Sequence, residues 1–378
     1  MLEYIGFNSI ERLEKILKKN NFRKIFLITG RKSFKNTDIK KIIFDILEEY
    51  DFYHFNDYTI NPKVEDIKKG LDLFRKEKCD VIVAIGGGSV IDIGKCISLF
   101  STNQGNIEDF LLKKVKIKQR GKPLIRIPTT AGSGSEATHF AVVYIGKTKY
   151  SLAEPKYMQP QFVIVDPQFT LSLPNNVSAV SGMDAFCQAI ESYWNINSTR
   201  KSKKYAKKAI GLIINNILKV VKNPDKKSRF NMSLAANFAG KAINITKTTA
   251  CHAISYPITS FFNVPHGHAV ALSLPSMIVF NSEVSRMDIL DPRGIKYVEK
   301  IMKEIISMIG ATTFNEAKEL ITQLMEDIGL ETKLKNLEIK TEEDINLIIK
   351  NGFNPDRVKN NPRKLTEAEL RKILEELI

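Results

Sequence analysis

Two histidines and a carboxylate carry the first hint of chemistry. His252 and His266 stand fourteen residues apart in CHAISYPITSFFNVPHGHAVAL, where SYP and VPHG read as chain breaks that could bring both rings to one point. Asp184 and Gln188, at i and i+4, share one face of a helix. Two neutral imidazoles and a carboxylate suffice to hold a divalent transition metal such as iron or zinc. The same spacing also fits hydrogen-bonded core histidines, as it does for His54, His139 and His268. Just before His252, the run Thr246-Lys247-Thr248-Thr249 is either a solvated turn or a cationic, hydroxyl-rich pocket wall.

A second set of residues suits phosphate. GGGSVID, from Gly86 to Asp92, follows a β-rich run and opens a helix. Glycines let the backbone approach a phosphate, and a helix N-terminus offers N–H groups and positive dipole. The spacing is not that of the usual GxGxxG fingerprint, and a plain tight turn also fits it. PTTAGSGSEAT, from Pro128 to Thr138, is a second strand-end loop, rich in hydroxyls and glycines. Two such loops at successive strand ends suggest one ligand at the carboxyl edge of a sheet. The first strand read from the sequence ends ITGRKS, with Gly30, Arg31, Lys32 and Ser33 where an NAD site usually carries an acid. Those residues suit a 2′-phosphate, so NADP(H) is expected ahead of NAD(H).

The elements that must position these residues fall into two textures. KIFLITG, CDVIVAIGGGS, LIRIPTTAGSGS, FAVVYI and FVIVD read as strands, with helices at Val64–Lys78 and VIDIGKCISLF between them. This alternation predicts a mainly parallel sheet covered on both faces. After SLP the pattern becomes helical, as in DAFCQAIESYW, SRFNMSLAANFAGKAI and GIKYVEKIMKEIISMI. Thr341 and Thr366 mark late helix starts, the latter with Glu369 three residues on. The expected organisation is an α/β domain over 1–175 and an all-α domain over 176–378.

Composition narrows the class. The 378 residues suit two domains of ordinary size, and 43% apolar with 26% charged residues is ordinary for a globular chain. No apolar run approaches a membrane span, and the N-terminus does not read as a signal peptide, so a cytoplasmic protein without a membrane partner is expected. Cys79, Cys96, Cys187 and Cys251 are far apart and read as small core residues. The net charge of +15 reads as lysines scattered among glutamates with no aromatic-interleaved basic stripe. Nucleic acid is therefore not expected as a partner, while the positive field favours encounter with anionic small molecules.

Taken in order, GGGSVID, PTTAGSGSEAT, the Lys149-Tyr150 to DPQFTLSLP run, GMDAFCQAIESYW, the His252–His266 pair with PHG and the late NNPRKLT resemble the iron-containing (group III) alcohol dehydrogenase family over nearly the whole chain. The resemblance implies a dehydroquinate-synthase-like fold: an NAD(P)-binding α/β domain, a helical metal domain and an active site in the cleft between them. It implies metal ligands at Asp184, His252 and His266, with iron or zinc ahead of manganese. Gln188 stands where the family pattern has a histidine, so it offers a poorer ligand. Tyr256 takes the place of a second histidine available for proton relay, and His268 is another relay candidate. Cofactor contacts are implied for Gly86, Gly87, Gly88, Ser89, Asp92, Thr129, Thr130, Ser133, Ser135 and Lys149. Asp92 would lie near the nicotinamide ribose, and Lys149 would reach a ribose hydroxyl. Gly30 replaces the usual acidic selector for NAD. A homodimer is implied by the same analogy.

The stretch before His252 departs from the small or apolar residues of relatives that act on neutral alcohols. A lysine in a closed cleft is costly unless it meets an anion, and lysine with clustered hydroxyls donates well to phosphate-like oxygens. Lys247, Thr248, Thr249 and His139 are thus expected to hold the anionic end of a small aldehyde. GKAINITKTTACHAISYP, SEATHFAVVY and the glutamine in DAFCQAIESYWNINST most resemble the phosphonoacetaldehyde reductase branch. That branch implies reduction of phosphonoacetaldehyde to 2-hydroxyethylphosphonate.

Overall fold

A computed structural model describes every residue except 32, 33, 35, 36, 60 and 147. The expectations for Lys32 and Ser33 thus lie outside the described residues. The chain divides into two compact units, Met1–Ser172 and Leu173–Ile378.

The strands are β1 (Leu2–Ile5), β2 (Lys24–Thr29), β3 (Asp51–Phe55), β4 (Val81–Gly86), β5 (Leu124–Pro128), β6 (Phe140–Ile145), β7 (Thr148–Ala153) and β8 (Phe162–Val165). Six of them form one parallel sheet in the order β1-β8-β5-β4-β2-β3. Side chains alternate between its faces. Phe26 and Ile28 pack with residues of the helices Val64–Lys76 and Gly88–Thr102. Ile25 and Leu27 pack with residues of the helices Arg12–Lys19 and Thr37–Leu47. Burial on both faces is why the inner strands read as unbroken apolar runs.

Two expectations need correction here. FAVVYI is not a strand of the parallel sheet: it is β6, which pairs antiparallel with β7 in a separate hairpin. β1 and β3 escaped the sequence reading because each lies at a sheet edge and is largely half-buried or exposed, so its sequence is mixed.

The second unit is helical. Thr341 and Thr366 each accept from the backbone N–H three residues on, while Asp344 and Glu369 accept from the threonine N–H in return. SYP is not a chain break. Pro257 lies inside the helix Ala250–Phe262, which packs along the helix His266–Ser282. The break comes at Asn263, whose left-handed φ of 58° turns the chain towards Pro265. The basic residues are less evenly scattered than expected: the helix Arg200–Ile214 carries Arg200, Lys201, Lys203, Lys204, Lys207 and Lys208 and no acid. Among the described residues, no helix is long and apolar enough to cross a membrane.

Candidate active site

The helix Asn175–Trp194 presents Asp184, Gln188 and Glu191 at i, i+4 and i+7, one stripe of its surface. The next two ligand candidates come from consecutive helices. His252 lies in the first turn of Ala250–Phe262, and His266 is the first residue of His266–Ser282. One ligand atom each from Asp184, His252 and His266 lies within 4.8 Å of the others. His252 Nε2 is 3.5 Å from Asp184 Oδ1, and the two imidazole rings meet edge to face at 5.5 Å.

The donor set fits a divalent cation. Gln188 Nε2 donates to Asp184 Oδ1 at 3.0 Å, while Gln188 Oε1 is buried with no hydrogen-bond partner among the described residues. An unsatisfied buried acceptor costs about 1–3 kcal/mol, and a cation beside Asp184 would remove that cost. Burial pushes the His252 imidazole down, but Glu191 and Asp184 outweigh it and hold it at about 9. Burial likewise raises the Asp184 carboxyl, but the hydrogen bond from His252 and the charge of His266 bring it below its ordinary value. Two anions gathered around one imidazole are the electrostatics of a cation site.

Glu191 is a functional residue the sequence reading missed. It is fully buried, and its Oε2 accepts from His252 Nδ1 in a very short contact. Its Oε1 accepts from Thr249 Oγ1 at 2.8 Å, Thr249 N at 3.2 Å and His252 N at 3.3 Å. With Nδ1 committed to a carboxylate, Nε2 is the nitrogen left facing Asp184, which is how carboxylates orient metal-binding histidines. The signal was the i, i+4, i+7 stripe of polar residues. Gly267 was missed too. A Cβ there would stand 2.1 Å from the Val180 carbonyl oxygen and 2.9 Å from Asp184 Cβ, so only glycine lets the His266 helix approach the Asp184 helix this closely.

In the α/β unit, β4 and β5 are neighbours, with Gly86 in register with Pro128, so the two expected loops start side by side. Thr130 and Ser133 lie close against Gly87 and Gly88, and a Cβ on Gly88 would come within 2.8 Å of Ser133 Oγ. Gly87 caps the fifteen-residue helix Gly88–Thr102 without a side chain, and Thr129 Oγ1 is buried without a partner among the described residues. An uncapped helix start beside an orphaned hydroxyl fits a diphosphate. The crevice lies where strand order reverses, between β2 and β4. Lys149 sits half-buried on β7, and Ser89 is half-buried in the first helical turn.

Asp92 and Ser135 are hydrogen-bonded to one another within the α/β unit. Asp92 Oδ1 accepts from Ser135 Oγ at 2.5 Å and from Lys95 Nζ at 3.3 Å, and Asp92 Oδ2 accepts from Val142 N at 2.9 Å. The buried Lys95 also donates to Ser135 Oγ at 2.7 Å, Thr138 Oγ1 at 2.9 Å and the Phe140 carbonyl at 2.7 Å. These side chains brace the loop from beneath. Lys95 was overlooked because one lysine in a helical run gives no sign of burial.

Other expected site residues are engaged elsewhere. Thr249 is fully buried, and its hydroxyl also accepts from Trp194 Nε1 at 2.9 Å, so it supports the histidine instead of facing a substrate. His268 cannot share the His266 face, since residues two apart on a helix point apart. Its Nε2 donates to the Glu331 carbonyl at 2.6 Å, and burial lowers its pKa, so it is a neutral core histidine and not a relay. Arg31 is exposed, donates from Nε to the Asn56 carbonyl at 2.9 Å and pairs with Asp57, a carboxylate the sequence reading did not weigh. His139 is buried in the α/β unit with its ring edge-on to Phe140. Thr248 is buried, and its carbonyl accepts from Asn360 Nδ2 at 3.1 Å. Tyr256 does reach the cluster: its ring lies 6.2 Å from that of His266.

Loops that suit a dinucleotide in a parallel α/β unit and an acid–histidine cluster that suits a divalent metal in a helical one are what the fold offers for chemistry. Residues 3–167 match the family model for iron-containing alcohol dehydrogenase, and residues 178–378 match that for the C-terminal domain of the Fe-containing alcohol dehydrogenase family. The chain belongs to the iron-containing alcohol dehydrogenase family. It is 30% identical over 380 residues to a 1,3-propanediol dehydrogenase of Citrobacter freundii, covering 98% of this chain and 96% of that one. It is 30% identical over 311 residues to a phosphonoacetaldehyde reductase of Streptomyces viridochromogenes, covering 80% and 77%. Its fold is similar to the crystal structure of sulfoacetaldehyde reductase from Bifidobacterium kashiwanohense in complex with NAD+, with a TM-score of 0.89 at 27% identity over 100% and 96% of the two chains.

Proposed function

We propose that this alcohol dehydrogenase reduces a short aldehyde bearing an anionic end, with phosphonoacetaldehyde giving 2-hydroxyethylphosphonate as the specific reaction. The observation that carries the reading is the backbone of Lys247. Its φ of 63° and ψ of −171° lie in a region populated almost only by glycine. Surrounding bonds hold it there: its N–H donates to the Ile243 carbonyl at 2.7 Å, and its own carbonyl accepts from Thr246 Oγ1 at 2.7 Å and Asn195 Nδ2 at 3.3 Å. A lysine kept where glycine would be unstrained, five residues before His252, supports a task for its ammonium. Relatives that bear phosphonoacetaldehyde and sulfoacetaldehyde in their names support the substrate class.

When bound, the divalent ion would withdraw electron density from the aldehyde oxygen, and the reduced nicotinamide would supply hydride. Asp184, His252 and His266 would hold the ion, with Gln188 Oε1 as a fourth donor. Iron or zinc suits these ligands better than manganese. Glu191 keeps His252 in the ligating tautomer. Lys247 holds the anionic end, which fixes the carbonyl carbon relative to the nicotinamide. Tyr256 is left as the side chain to deliver the proton. Its hydroxyl accepts from Arg357 Nε at 3.2 Å. NADP(H) is proposed ahead of NAD(H) on the absence of a carboxylate at Gly30, with Arg31 exchanging Asp57 for the 2′-phosphate.

The test compares kcat/KM for phosphonoacetaldehyde and butyraldehyde in the wild type and in Lys247→Ala. Losing a charge-assisted bond should raise KM for the phosphonate roughly 10- to 100-fold and leave butyraldehyde nearly unchanged. Equal changes on both substrates would sink the anion reading in favour of a general dehydrogenase for neutral alcohols.

A further inference from the structure

We infer that the groove between the helices Arg200–Ile214 and Ile295–Ile309 binds a small molecule carrying two or more linked phosphates. This groove shares no lining residue with the acid–histidine cluster and stands independently of the substrate reading. The charge around it is uneven. Residues 195–245 carry twelve lysines and arginines against one acid, Asp225, and so hold a net +11 of the chain's +15. Like charges this dense repel one another in a compact state, and a bound polyanion relieves that repulsion. The reaction proposed above uses none of these cations.

The helix Ile295–Ile309 packs against Arg200–Ile214 and Asn175–Trp194. Lys296, Lys300 and Lys303 stand at i, i+4 and i+7, one stripe of its surface. Lys207 joins them from Arg200–Ile214, and the four line a groove of about 610 Å³. All four are exposed, and Lys207, Lys296 and Lys303 form no hydrogen bond or ion pair among the described residues. Glu304 is already engaged: its Oε2 accepts from Tyr193 Oη at 2.7 Å, and its Oε1 lies 3.9 Å from Lys300 Nζ. Glu299 adds a second carboxylate to the lining, so four ammonium groups meet two acids and the groove stays cationic. A fifth ammonium is fixed beside it: Lys203 Nζ lies 5.9 Å from the centre of the Tyr193 ring while donating to Tyr297 Oη at 2.8 Å. The volume suits a small organic molecule. Lysine is a compact point charge that meets phosphate oxygens from any approach, and four on two helices match several linked phosphates better than one. Tyr193, 7% exposed, and Met308 offer contact to an organic body attached to them.

The experiment titrates ATP, tripolyphosphate and inorganic phosphate by calorimetry into the full-length enzyme already saturated with NADPH, so that the glycine loops are occupied. Magnesium is left out, and metal content is recorded before and after. Both polyphosphates should bind, more weakly as salt is raised, and single phosphate should bind far less. Lys207→Glu and the double variant Lys300→Ala/Lys303→Ala should each weaken polyphosphate binding roughly 10- to 100-fold, with NADPH affinity and the thermal midpoint of the ligand-free enzyme unchanged. The substituted side chains are exposed, so both variants keep the fold. Tighter binding of ATP than of tripolyphosphate is expected and assigns an organic source of the phosphates, whereas the reverse order supports the same site with an inorganic one. A wild type that binds neither polyphosphate, or binding that both variants retain in full, would overturn the inference.

Discussion

The two polar clusters are built on opposite principles. Beneath the glycine loop, Lys95 brings its own partners: Asp92, Ser135, Thr138 and the Phe140 carbonyl surround its ammonium. In the helical unit, Asp184, His252 and His266 turn ligand atoms towards one another, and Gln188 Oε1 has no partner among the described residues. The first cluster is electrically closed and holds loop shape by itself. The second is complete only with a cation. A buried charge inside a finished network stabilises shape, whereas converging lone pairs reserve a place for a ligand.

Stripping the metal should break the open cluster alone. Dialysis against a chelator, or Asp184→Ala, should lower kcat/KM by on the order of 1,000-fold, since a Lewis acid contributes several kcal/mol. Elemental analysis should show the metal lost, and iron or zinc should restore activity to the stripped wild type but not to the variant. Breaking the closed cluster should instead cost stability. Lys95→Met leaves Asp92 without its cation and should lower the unfolding free energy in urea by about 3 kcal/mol, with weaker NADPH binding by fluorescence titration. The pH dependence has a definite sign. Burial lowers the Lys95 pKa from 10.5 to about 8. Between those values the folded state holds fewer protons than the unfolded state. The lysine's contribution to stability should therefore improve as pH rises from about 8 towards 10.5, narrowing nothing for the methionine variant, which lacks the group.

Glu191 tests how far the open cluster depends on its support. Glu191→Gln should weaken metal affinity by about 10- to 100-fold in a competition titration, with fold and cofactor binding retained. Lys247 gives a smaller and opposite effect on stability. Lys247→Gly should raise the urea midpoint, by roughly 1 kcal/mol of relieved strain, while weakening phosphonate binding. The smallest change is expected at the exposed Arg31–Asp57 pair. Asp57→Asn releases Arg31 and should shift the NADPH-to-NADH preference upward by less than about 1 kcal/mol, measured as a ratio of kcat/KM values.

Much of this contrast was legible before any coordinates. The glycine loops and the helix starts at Thr341 and Thr366 are signals carried by neighbouring residues, while the acid–histidine set was legible through the family resemblance. Glycine at a strand end and threonine three residues before an acid work through backbone geometry within a single turn. What the sequence by itself determined was therefore the inventory: strand–helix alternation, two phosphate-suited loops, and residues able to ligate a metal.

Only the tertiary structure decided which of those residues work together. Glu191 and His252 are 61 residues apart, and Lys95 and Ser135 are 40 apart. His268 looked like a proton relay until the helix turned it towards the Glu331 carbonyl. Thr249 looked like a substrate contact until Trp194 and Glu191 took its hydroxyl. Local signals fix backbone shape because their energies act within a few residues of chain. The partner of a buried polar group is set by which distant segments the packed core brings within hydrogen-bond reach.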